Sequence, residues 1–117
     1  MHKKIYWKRK DISVIKLCSD GEVAHFRGQT MRPYLDDFAR LVGNAANQDL
    51  RSNVLLLPDQ VFCLGKSLRH TVEMELALRK NARAARIAKL SGTVPIARWD
   101  AYLMNLRYQR KYFKQTK

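Results

Sequence analysis

Between residues 12 and 27 the chain is short-period and β-branched. Ile12-Ser13-Val14-Ile15-Lys16-Leu17 reads as a strand, Ser19-Asp20-Gly21-Glu22 supplies an Asp-Gly turn, and Val23-Ala24-His25-Phe26-Arg27 follows as a second strand. Thr30 then offers a cap and Pro33 a first-turn proline for a helix with Leu35, Phe38, Leu41 and Val42 on one face, which Gly43 ends. Leu50, Val54 and Leu57 recur at spacings of four and three, so a second helix is expected over residues 47–57, up to Pro58.

From Asp59 to about Leu90 the apolar positions Val61, Leu64, Leu68, Val72 and Leu76 repeat every three or four residues, which predicts a long amphipathic helix despite Gly65. Ser91-Gly92-Thr93 breaks it. Val94-Pro95 starts a last helix in which Ile96, Trp99, Leu103, Leu106 and Phe113 share a face, expected to be core or a dimer seam. The pattern predicts an α+β, predominantly helical fold: a short N-terminal β-hairpin or ribbon followed by four helices. At 117 residues one domain is expected, with residues 1–57 as a strand-helix-helix region and 58–117 as a basic helical extension packed on it. A rival placement makes 52–58 the strand and the region after Asp59 the first helix. It ranks second because its alternate positions are apolar and leave no polar face.

Charge changes the picture. The chain carries 23 Lys and Arg against 10 Asp and Glu, a net charge of +13, and most of the excess lies after residue 60. Such a surface repels itself unless an anion relieves it, and phosphate backbones are the commonest relief. An anionic membrane would also answer the charge, but no run of 18 apolar residues exists and no basic helix has an unbroken apolar face. The basic start MHKKIYWKRK lacks the apolar stretch of a signal peptide, so a cytoplasmic location is expected, with no membrane partner.

Catalytic chemistry is not apparent. His2, His25 and His70 are scattered, and no glycine-rich phosphate loop or nucleophile motif occurs. Asp36-Asp37 and Glu73/Glu75 read as solvated charge, since neighbours at those spacings do not face one site on a helix. Cys18 and Cys63 sit among apolar neighbours and read as buried free thiols. The expectation is a non-enzyme without cofactor or metal.

The most specific local signal is the alternation of His25, Arg27 and Gln29 with Phe26 and Gly28, which on a strand would present three polar side chains on one face. In a major groove Arg can bond bidentately to guanine and Gln to adenine. After Gly43, the run G-N-A-A-N-Q-D-L-R-S-N-V would open a helix with exposed amides suited to a phosphate. Over about residues 22–57 the chain resembles the ribbon-helix-helix regulators. That resemblance implies a homodimer whose paired strands enter the major groove with His25, Arg27 and Gln29 as base readers. It further implies phosphate contacts at Gly43, Asn44 and Ala45, and a dimer core of Leu35, Phe38, Leu50 and Val54. The function implied is a sequence-specific double-stranded-DNA-binding transcriptional regulator, of a kind found on plasmids and controlling transfer genes.

The basic C-terminal half adds Arg79, Arg83 and Arg86, recurring at i, i+4 and i+7. They read either as a solvated helix face or as phosphate contacts, and the charge of that half favours phosphate; Lys8, Arg9 and Lys10 would join them. Tyr108 and Tyr112, interleaved with Arg107, Arg110 and Lys111, could stack on single-stranded RNA, the second partner considered. A third reading is a small adaptor whose long helix docks on another protein.

Overall fold

A computed structural model of the chain describes residues 11–116, with side chains described for 11–111. Its sheet has three antiparallel strands, β1 (Val14–Cys18), β2 (Val54–Leu56) and β3 (Val61–Gly65), in the order β1-β3-β2. Among the described residues four helices accompany them: α1 (Gly21–Ala24), α2 (Asp36–Leu41), α3 (Leu68–Ser91) and α4 (Arg98–Thr116).

The central strand explains why the middle of the chain misleads a periodicity argument. All of β3 is buried, and so is all of β2. Val54, Leu56, Val61 and Cys63 face the main core with Met74, Ala77 and Leu78 of α3. Leu55, Leu57, Phe62 and Leu64 face a second cluster with Ile12, Ile15 and Leu50. A strand covered on both faces is apolar at every position, and a continuous apolar run satisfies helical and extended spacing alike. The helix expected over 47–57 is therefore replaced by a turn and β2, and the expected long helix starts nine residues late. Leu57-Pro58-Asp59 forms part of the β2–β3 hairpin turn, with the Leu57 amide donating to the Gln60 carbonyl at 3.0 Å. The rival placement's strand at 52–58 contains β2, but the first helix it puts after Asp59 is replaced by β3.

The N-terminal ribbon is likewise absent. β1 forms as expected, but its partner is β3, with Lys16 opposite Cys63. Val23–Arg27 is not extended: Asp20 caps α1 by accepting the Val23 amide at 3.1 Å, and turns follow through Gly28. Gly28 sits at φ +72°, a backbone region open to glycine, and its amide donates to the Leu56 carbonyl at 2.8 Å. Phe38 and Val54, expected in a dimer core, are wholly buried within this single chain. The ribbon-helix-helix architecture is thus corrected.

α3 begins where Ser67 accepts the His70 amide at 3.1 Å, and it ends at Gly92, which adopts the left-handed conformation at φ +75°. Its buried face is Thr71, Met74, Ala77, Leu78, Asn81, Ala82, Ala85 and Ala88. Alanines let the sheet and α2 approach closely. Leu68, Val72 and Leu76, the stripe that the spacing assigns to the core, are exposed instead.

α4 packs through buried Ala101 and through Asn105, which donates to the Arg40 carbonyl at 2.7 Å. Trp99, expected on the packed face, is two-thirds exposed (67%). Phe113 lies outside the described side chains.

Candidate basic groove

The sequence-predicted residues do not gather on a ribbon. His25 and Gln29 lie in the turns after α1, where the Gln29 side chain donates to the His25 carbonyl at 3.0 Å. Arg27 turns away and reaches the Ala24 and Asp59 carbonyls. Gly43 donates its amide to the Phe38 carbonyl at 3.2 Å and packs on Asn105, while the Asn44 carbonyl accepts from Arg32. Ala45 is half-buried in the same turn and its carbonyl accepts from Ser52 at 3.0 Å. No helix opens after Gly43, so the expected phosphate-binding amides at 43–45 have no helix N-terminus behind them. Lys8, Arg9 and Lys10 lie outside the described residues.

What the fold does bring together is His25 and two of the predicted arginines. Because α1 lies across the second half of α3, a groove of about 590 Å³ opens between them, lined by Glu22, His25, Phe26, Arg83, Arg86, Ile87, Lys89 and Leu90. Phe26 is its buried apolar member, Ile87 and Leu90 are exposed along it, and three cations and one carboxylate complete the lining. Arg86 donates to Glu22 at 2.7 Å, and Lys89 Nζ stands 5.5 Å from the centre of the Phe26 ring. Arg83 is exposed and has no ion-pair partner among the described residues. Arg79 is diverted from the groove by Asp20, at 3.1 Å.

Sequence reasoning found Arg83, Arg86 and His25 but missed Phe26, Ile87, Lys89 and Leu90 as lining. The signal for them is tertiary, since Phe26 and Lys89 meet only when α1 folds onto α3.

Four further acids are paired with cations. Glu75 pairs with Lys16, Glu73 with Arg69 at 3.3 Å, Asp37 with Arg40 and Asp49 with Arg51 at 2.7 Å. The Glu75 hydrogen bond holds the Lys16 ammonium above its ordinary pKa, and the Arg51 bonds pull Asp49 down to about 2. Cys18 and Cys63 are buried free thiols, and burial raises both pKa values, which keeps them protonated. Among the described residues no group of three His, Cys, Asp or Glu side chains converges as a metal site, and no helix is long and apolar enough to cross a membrane.

The architecture, a three-stranded antiparallel sheet backed by a long helix, belongs to an α+β class unrelated to paired ribbons. A solved structure similar to it is that of an L-fuculose 1-phosphate aldolase, with a TM-score of 0.83 and 14% sequence identity, over 92% of this chain and 61% of that one. The chain thus spans about three-fifths of that aldolase, and the likeness concerns the fold. No family model matches the chain, and no curated protein matches it. The shared fold overturns the reading as a sequence-specific DNA-binding transcriptional regulator of plasmid type: Val23–Arg27, the base-reading strand it required, is helix and turn, and Phe38 and Val54 of its dimer core are buried within the single chain.

Proposed function

We propose that this chain is a binding module that takes a small phosphate-bearing ligand in the groove between α1 and α3. The observation that carries the reading is the convergence of Arg83, Arg86 and Lys89 beside His25 around the buried ring of Phe26, with the exposed side chains of Ile87 and Leu90 along one edge. Guanidinium groups bond phosphate oxygens in pairs, and a concave site with a few placed cations orients a small ligand. The fold neighbour's name supplies the chemical class, a phosphorylated sugar.

The function proposed is binding without turnover. Asp20, Glu22, Asp37, Asp49, Glu73 and Glu75 are each engaged by a cation, which supports structural and positioning roles for them. Fold likeness alone does not transfer a reaction.

Calorimetric titration with L-fuculose 1-phosphate, L-fuculose and inorganic phosphate tests the proposal. The phosphorylated sugar should bind and the free sugar should not. Arg83→Ala should weaken binding by roughly ten-fold, the scale of one charge-assisted hydrogen bond. Equal binding of both sugars, or indifference to Arg83→Ala, overturns the site. Cleavage of the sugar phosphate during the titration, read by NMR, overturns the non-catalytic reading.

A further inference from the structure

The most exposed large apolar side chains of α3, α4 and their connection fall within ten residues of chain, where α3 ends and α4 begins. Leu90 at the end of α3 is 92% exposed, Val94 in the connection 78%, and Trp99 in the first turn of α4 67%. Trp99 stacks on Tyr102 with ring centres 5.8 Å apart, and both rings are exposed. Ile87 and Val94 line one shallow depression, so the end of α3 and the connection are contiguous. The connection is held in place: the Ile96 amide donates to the Pro33 carbonyl at 2.7 Å, and Arg32 donates to the Ile96 carbonyl at 3.0 Å.

We infer that this junction of α3 and α4 docks on an anionic lipid bilayer. Charge complementarity selects that occupant. Arg83, Arg86 and Lys89 line the groove that Ile87 and Leu90 share, and exposed Arg98 precedes Trp99, on a chain whose net charge is +13. A second copy would meet the same cations, whereas anionic headgroups neutralise them while the apolar side chains enter the acyl boundary. Trp and Tyr suit the headgroup level because each ring is apolar with one polar handle. Binding at an interface grows with both buried apolar area and cationic attraction, and the junction supplies both.

The sequence pattern set a membrane aside because no single helix carries an unbroken apolar face. The structure assembles the patch from the end of one helix, a connection and the start of the next. No spanning segment is involved.

Co-sedimentation with phosphatidylcholine vesicles, with and without phosphatidylserine, tests the inference, together with Trp99 emission in a Trp7→Phe background. The protein should sediment only with phosphatidylserine present, and Trp99 emission should shift to the blue. Val94→Ser combined with Trp99→Ser should weaken sedimentation roughly ten-fold, from the apolar area removed. Unchanged emission, or vesicle binding indifferent to the double substitution, overturns the inference, as does binding of single-stranded RNA or an acidic peptide through Trp99 without vesicle binding. Both readings use Arg83, Arg86 and Lys89, but neither Val94 nor Trp99 lines the groove, so the double substitution should lower vesicle binding and leave sugar-phosphate affinity unchanged.

Discussion

The side-chain oxygen of Asn81 accepts the Tyr34 amide at 2.7 Å, joining the middle of α3 to the segment that enters α2. The same oxygen accepts the Leu35 amide at 3.1 Å, and the side-chain nitrogen donates to the Arg32 carbonyl at 3.0 Å. One wholly buried amide thereby satisfies three backbone groups of a segment that has no regular structure of its own. That segment also carries Pro33, whose carbonyl accepts the Ile96 amide of the connection before α4, so Asn81 helps to place the connection between α3 and α4.

Asn81→Leu keeps the volume and removes all three bonds, leaving two amides and a carbonyl unpaired. Stability should fall by about 2–4 kcal/mol, the scale of stranding buried polar groups. Urea denaturation checks this, and a loss under about 1 kcal/mol would mean that water enters to replace the amide.

Gly65 ends β3 where α3 closes over it. A methyl group there would lie 2.7 Å from the Thr71 Cγ2 and 3.0 Å from the His70 Nδ1. Thr71 is buried and β-branched, so it cannot rotate away freely. Gly65→Ala should cost about 1–3 kcal/mol in thermal unfolding, despite the smaller unfolded-state entropy that alanine brings.

His70 is half-buried, stacks on Tyr108 at 6.1 Å and accepts the Lys66 amide on Nδ1 at 3.3 Å. Burial lowers its pKa from the ordinary 6.5. The unfolded chain therefore takes up the proton first as pH falls, so this contribution is intact above 6.5 and lost as pH drops through the folded value. Stability measured against pH should decline below 6.5, and His70→Gln should flatten that decline. An unchanged slope would assign it to other groups.

Arg79 pairs with Asp20 at 3.1 Å across a partly exposed surface and does not line the groove. Arg79→Ala should change stability by under about 1 kcal/mol, as exposed ion pairs do. It should also leave sugar-phosphate affinity unchanged in calorimetry, in contrast to Arg83→Ala.

Local chemistry was legible wherever one residue type dictates backbone geometry. β1, the break at Ser91-Gly92-Thr93, the helix ending at Gly43 and the burial of both cysteines follow from β-branching, a left-handed glycine and apolar neighbours, and the structure bears each out. The excess of cations, concentrated after residue 60, is likewise a property of the sequence alone. Pairing was not legible. An Asp-Gly turn after a strand predicts a hairpin, yet Asp20 uses its carboxylate to cap α1, and β1 pairs with a strand more than forty residues away.

Which face of α3 is inside was decided by size rather than hydropathy: the sheet and α2 accept Ala77, Ala82 and Ala85 at close range and leave Leu68, Val72 and Leu76 in water. The groove and the apolar junction depend on the same tertiary step, since each joins residues from different elements. A sequence specifies what each segment can bury or expose. Only the packed chain decides which of the equivalent apolar faces is covered, because burial on both sides of β3 erases the periodicity that would have distinguished them.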